Sequence, residues 1–205
     1  MKSNFDFLDN EFPVLAQFGK KAELYLYSDS NSCLMKLGMI GETVVNLMFT
    51  YDRITLPAEN TAVNRIVVLF REGLLTQDLV DILHALRKVR NKAVHENYAS
   101  VADGKVLLQM AHSLCEWFMQ TYGDWNYKNK PFILPADLPV EASTDTGAEQ
   151  EHEKQLSKEA EEKAAASDSV AKEKRRQQAA KAASQRQKTE AETRYMIDQQ
   201  LRQVG

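Results

Sequence analysis

The 205-residue sequence predicts an all-α fold, an antiparallel helical bundle, on three observations. Apolar residues recur at three- and four-residue spacing in five segments between Pro13 and Phe118. Short polar or glycine-containing connections separate those segments, and no strand pair is visible that would make a sheet. Composition then divides the chain. Aromatic and branched residues run to about Pro139, whereas Glu141 to Glu192 is almost wholly Ala, Glu, Lys, Gln, Arg, Ser and Thr. Only the first part carries enough apolar side chains to fold around a core of its own.

An extended opening with Phe5, Phe7 and Phe12 leads to Pro13, which suits the first turn of a helix. Leu15, Phe18, Ala22 and Leu26 follow at helical spacing, and the polar cluster Ser28 to Ser32 breaks this helix and caps the next. Leu34, Leu37, Ile40, Val44, Leu47 and Met48 form the stripe of the second helix. Gly38 and Gly41 weaken that helix intrinsically, so close approach of a neighbour is their expected reason. After Pro57, Val63, Ile66, Val67 and Phe70 are expected to face inward from a third helix that stops at Gly73. The run VVLF also reads as a short buried strand, but it has no partner.

Thr76 is placed to cap a fourth helix with Leu79, Ile82, Leu83, Leu86, Val89 and Ala93 on one face. Ser100 with Asp103 makes a capping-box-like start for a fifth, which carries Val106, Leu107, Met110, Leu114 and Phe118. An aromatic strap follows, with Trp125, Tyr127, Phe132 and Ile133 too apolar for a free linker. The expected organisation is a bundle with its strap over residues 1–140, a charged linker or helix over 141–190, and a further element beginning at 191. In the charged segment Leu156 and Val170 are the only larger aliphatic residues, so a solvated connecting helix without a coiled-coil seam is expected. Tyr195, Met196, Ile197, Leu201 and Val204 then form an apolar stripe with nothing local to pack on.

The stretch KVRNKAVHEN, residues 88–97, concentrates the candidate chemistry. Five residues of helix advance by about 500°, so Arg90 and His95 point about 140° apart, while Asn91 and His95 share a face. Arg90 falls within the apolar arc of helix four, where a guanidinium needs a carboxylate; Glu23, Glu42 and Asp81 are candidates that the sequence does not rank. An imidazole that moves a 2′-hydroxyl proton beside a guanidinium that stabilises phosphate would be a metal-independent RNA-cleaving pair. The divergence of the two side chains means that a second copy would most easily complete it. The bland reading is a helix end whose Arg and Asn hold neighbouring groups.

Other chemistry is sparse. No Gly-x4-Gly-Lys-Ser/Thr loop is present, and His84, His95, His112 and His152 show no metal-ligand spacing. His84 and His112 read as polar positions on amphipathic helices. The basic face over 172–188 is a candidate for auxiliary contact with a phosphate backbone, but acidic neighbours cancel its charge and no aromatics interleave. Cys33 and Cys115 sit in apolar periodic segments and read as free buried thiols. The N-terminus lacks a signal-like apolar run and no stretch approaches about 18 apolar residues, so a cytoplasmic protein with no membrane segment is expected.

The opening MKSNFDFLDNEFPVLAQFGKKAELYLYSDSNSCLMKLGMIGETVVNLM, then RKVRNKAVHENY, then FILP ahead of the charged segment, resembles the N-terminal region of the restriction (R, HsdR) subunit of type I restriction-modification enzymes. The resemblance covers essentially the whole chain. The closing EAETRYMIDQQLRQVG is similar to the start of that family's nuclease domain, the rest of which this chain does not contain. The first domain also resembles the HEPN helical class, whose Arg-Asn…His signature RNKAVH matches at Arg90, Asn91 and His95.

For a full-length subunit the resemblance implies ATP- and Mg-dependent DNA translocation and endonucleolytic cleavage, in a complex with methylation and specificity subunits. For residues 1–205 it implies a docking or assembly module that reaches DNA through the complex, with no cofactor, no metal and no catalytic residue. The alternative is a HEPN-type metal-independent ribonuclease or toxin acting as a homodimer through Arg90, Asn91 and His95.

Overall fold

The structure, a computed structural model, describes residues 2–137, 147–167, 172–184, 186 and 192–198, and among them it is helical with no strand. The helices are α1 (Pro13–Ser28), α2 (Ser30–Tyr51), α3 (Ala62–Arg71), α4 (Gln77–Glu96), α5 (Val101–Tyr122), α6 (Gly147–Ala165) and α7 (Lys172–Ser184). The opening is not extended as expected. It coils into a 3-10 turn over Asp6–Leu8 that drives Phe5, Leu8 and Phe12 fully into the core. Pro13 opens α1, and the Asp29 carboxylate accepts from Ser32 N at 3.1 Å to start α2.

α2 and α5 form the centre of the bundle. α2 packs against α1, α4, α5 and α6, and α5 packs against α1, α2, α4 and α7. A helix covered on most sides must be apolar almost all round. That is why α2 is long and apolar enough by composition to cross a membrane, contrary to the expectation from the sequence, while 67% of that window is buried inside the protein. All six residues of its expected stripe are buried.

The edge helix α3 departs from its expected face. Ile66 and Leu69 are buried against the bundle, whereas Val63 and Phe70 are 38% and 43% exposed. In a ten-residue helix containing an unbroken VVLF run, periodicity does not choose among adjacent apolar faces. Two caps also differ from expectation. Thr76 stands at the N-cap of α4, but its hydroxyl makes no capping bond; Ser100 does cap α5, while Asp103 turns to accept from Tyr98 OH at 2.7 Å.

The strap over 123–137 crosses the bundle and is tied to the N-terminal segment, the end of α1 and α5. Ile133 N donates to Asn4 Oδ1 at 2.8 Å, Tyr27 OH donates to Pro135 O at 2.9 Å, and Lys130 N donates to Glu116 Oε1 at 2.6 Å. Phe132 is partly buried, while Trp125 and Ile133 stay largely exposed. Beneath the strap lies His112, which is not a surface position but a buried ring in edge contact with Phe5 and Phe7.

Burial pushes His112 down to about 4, only partly opposed by its hydrogen bond with the Asn4 backbone. Burial pushes Glu116 up to about 7, opposed by the Lys130 N–H and the Tyr127 hydroxyl. The pH effects of these two groups oppose each other. The His112 contribution to stability is present above its ordinary 6.5 and is lost as pH falls through about 4; that of Glu116 is present below its ordinary 4.5 and is lost as pH rises through about 7. Glu116→Gln retains a carbonyl to accept from Lys130 and removes the ionisation, so it should melt above wild type at pH 8. The difference should shrink as pH falls toward 4.5, a trend that thermal denaturation across this range checks directly.

Candidate functional site

The residues singled out in the sequence lie on the last turns of α4. Arg90 is half-buried and its Nη1 donates to Glu42 Oε1 at 2.6 Å, so of the three candidate carboxylates the partner is Glu42 on α2. Glu23 is instead engaged with Ser3 and Asn4, and Asp81 accepts from Gln77. The Arg90 stem lies on α2 because residue 38 is glycine. A Cβ there would stand 2.3 Å from Arg90 Cβ, a distance that no packed pair tolerates. Asn91 and His95 are exposed, and neither shares a hydrogen bond or ion pair with Arg90. Asn97 ends α4 in the left-handed region at φ 51°, and Asn31 Nδ2 donates to the free carbonyls of Ala93 and Tyr98.

The densest polar arrangement lies elsewhere, where the charged segment meets the bundle. That segment is not the solvated connector its composition suggested. Ala160, Ala164, Ala179 and Ala182 are buried against the bundle, and so are Glu153 and Arg175. Asp52, at the end of α2, is sealed from solvent and fully partnered. It accepts from Arg175 Nε at 2.7 Å and from Tyr122 OH at 2.7 Å, while Arg175 Nη2 donates to Tyr51 O at 2.9 Å. The guanidinium lies 5.9 and 5.8 Å from the ring centres of Tyr51 and Tyr122. Burial and the adjacent Asp52 carboxylate raise the Tyr122 phenol well above its ordinary value, which keeps it a donor.

The second anchor is Glu153 on α6. Its carboxylate receives Lys36 at 2.8 Å and Lys21 at 3.0 Å, joining α6 to α2 and α1 at once. Trp117 Nε1 donates to Ala179 O at 3.1 Å, Lys163 pairs with Glu11, and Arg176 pairs with Glu72. Both arginines of the RR pair in the basic run therefore spend charge within the chain rather than presenting it to a nucleic acid. Farther on, Arg186 pairs with Glu192 at 2.6 Å, and Tyr195 and Met196 pack partly onto the bundle. Leu201 and Val204 lie outside the described residues.

The signal for this docking was present but small. Glu153, Ala160 and Ala164 repeat at seven and four residues, and Arg175, Ala179 and Ala182 at four and three. Each set is one helical stripe of alanines headed by a charge. A search for large aliphatic residues passes over it.

Among the described residues no three metal-ligating side chains converge. Cys33 and Cys115 are buried and unpaired, and burial pushes the Cys33 thiol up to about 12. What the geometry provides is a clamp: two helices fixed on a bundle by buried ion pairs.

Residues 20–166, from within α1 through the end of α6, match the family described as "Domain of unknown function (DUF4145)". The chain belongs to the DUF4145 family. This DUF4145 chain is also 27% identical, over 135 residues, to the "Type I restriction enzyme EcoKI endonuclease subunit" of Escherichia coli (strain K12). That similarity covers 65% of this chain and 11% of the relative, and it bears out the resemblance to a type I restriction subunit seen in the sequence. No solved structure matches the chain. The DUF4145 match takes in the Glu153 anchor on α6, so at least that half of the clamp lies inside the family's domain.

Two outcomes are expected from these contacts. Gly38→Ala should destabilise by about 1–3 kcal/mol through overpacking against Arg90. Gly41→Ala meets Leu86 and Leu83 at ordinary contact distances of 3.4 Å and more, so it should gain up to about 1 kcal/mol of helix propensity. Urea denaturation of both variants checks the contrast. Arg175→Met should cost about 3–5 kcal/mol by stranding Asp52, and the added Asp52→Asn should recover part of that loss in the double variant.

Proposed function

We propose that this chain is the N-terminal, non-catalytic docking and assembly module of a type I restriction subunit. In this reading the full-length subunit is an ATP-dependent DNA translocase and endonuclease in the cytoplasm. The module holds it in a complex with methylation and specificity subunits and reaches DNA only through that complex. The similarity to the EcoKI endonuclease subunit supports the placement, and the observation that carries the docking role is the clamped arm. A segment joined to its bundle by buried ion pairs moves with the bundle as one body, which suits a module that sets where the next part of a chain lies.

The HEPN-like ribonuclease reading has one observation in its favour, the exposed Asn91 and His95 on one face of α4. Against it, the Arg90 charge is already met by Glu42, and the dimer it needs would have to free that guanidinium.

Mixing the purified chain with separately purified methylation–specificity complex, followed by size-exclusion chromatography, tests the proposal. Co-elution is expected, with no RNA cleavage by the chain alone in chelator. Failure to associate, or chelator-resistant RNA cleavage abolished by His95→Ala, would overturn it.

A further inference from the structure

Between α2, α3 and α4, beside the Arg90–Glu42 pair, lies a cleft of about 200 Å³. Its polar lining comes from Glu42, Asn46, Asn60, Arg65 and Arg87, and Ile66 and Leu83 contribute to its apolar wall. Charges are balanced unevenly around it. Glu42 is neutralised by Arg90. Arg65 donates Nε to Asn60 Oδ1 at 2.6 Å and Nη1 to Asn46 Oδ1, both neutral acceptors that orient the guanidinium without cancelling its charge. Arg87 has no hydrogen bond or ion pair at all among the described residues, although its Nε is buried. His84, one turn earlier on α4, is pushed down first by its own burial and then by the cations Arg87 and Lys88.

Two guanidinium groups thus line one small recess whose carboxylate, Glu42, is already held by Arg90. A buried donor left unpaired costs free energy, so an unliganded cleft of this kind is less stable than one with a neutral side chain at position 87. The recess is smaller than the roughly 300–1,000 Å³ of pockets that enclose whole organic ligands, which limits an occupant to a compact group. Planar N–H forks suit tetrahedral oxyanions bidentately.

We propose that this cleft binds a terminal phosphate group, with Arg65 and Arg87 as its two forks and Asn46 and Asn60 holding Arg65 in position. The same dianion is presented by a free small phosphate and by the phosphorylated end of a nucleic-acid strand, and the test separates these sources.

The full 205-residue chain is melted at constant ionic strength in chloride, then with inorganic phosphate, and then with a tetranucleotide bearing either a 5′-phosphate or a 5′-hydroxyl. Phosphate is expected to raise the melting temperature in a saturable way. Arg87→Met and Arg65→Gln should each weaken that response at least about tenfold, as expected for loss of a charge-assisted pair. Arg87→Lys, which keeps the charge without the fork, should fall between, and Lys158→Gln on the exposed face of α6 should respond as wild type. In chloride alone Arg87→Met should melt no lower than wild type. A 5′-phosphorylated strand that acts at lower concentration than inorganic phosphate assigns the phosphate to a strand end; response to inorganic phosphate alone assigns it to a free small ligand. A phosphate response no greater than that to chloride overturns the proposal. So does a response that both arginine variants retain, or equal action of the 5′-hydroxyl strand.

Discussion

The fold depends on how it satisfies Asp52. This carboxylate closes α2, the helix around which the bundle is built, and it is buried without any cation on α1 to α5 among its partners. Only Tyr122 reaches it from the bundle; the charge that answers it, Arg175, is more than a hundred residues away in α7. Lys21 and Lys36 present the mirror image, two lysines gathered at the α1–α2 face whose shared carboxylate, Glu153, comes from α6. Taking a charge out of water is costly unless a partner goes with it. The bundle and the arm are therefore halves of one electrostatic arrangement, and neither half is complete alone.

Alanine makes the arrangement geometrically workable. Small side chains at 160, 164, 179 and 182 let the α6 and α7 backbones come close, near enough for Trp117 to bond the Ala179 carbonyl, so that charged side chains reach inward over a short distance. Area buried by alanine alone is modest, and specificity in this interface comes from matched charges rather than from apolar volume. The same economy appears at Gly38, where the absence of a side chain lets Arg90 cross α2 to Glu42.

Five bundle helices could be read from the sequence because their stripes are made of Leu, Ile, Val and Phe, whose burial is the strongest periodic signal a sequence carries. The stripe of α2 and the close approach at Gly38 and Gly41 followed from that signal. The α3 face did not, since Val63, Ile66, Val67, Leu69 and Phe70 offer several overlapping stripes and only tertiary contact with α2 and α4 chooses one. His112 was misplaced because α5 is enclosed on nearly every side, which the spacing of its large apolar residues understates. The docking of the arm is hidden from the sequence for a deeper reason. Its attachments are single long-range pairs, Asp52 with Arg175 and Glu153 with Lys36, and nothing local in the sequence marks which of many charges has a distant partner. The choice of Glu42 for Arg90 was hidden in the same way.

The charged arm is part of the folded body. Hydrogen–deuterium exchange of the intact chain, followed peptide by peptide, measures this most directly. Amides of α6 and α7 around Glu153, Ala160, Arg175 and Ala179 should exchange slowly, within the range set by α1 and α4, and should lose that protection in Arg175→Met. Exchange of the arm at the rate of an unstructured peptide, with α1 to α5 still protected, would contradict the account.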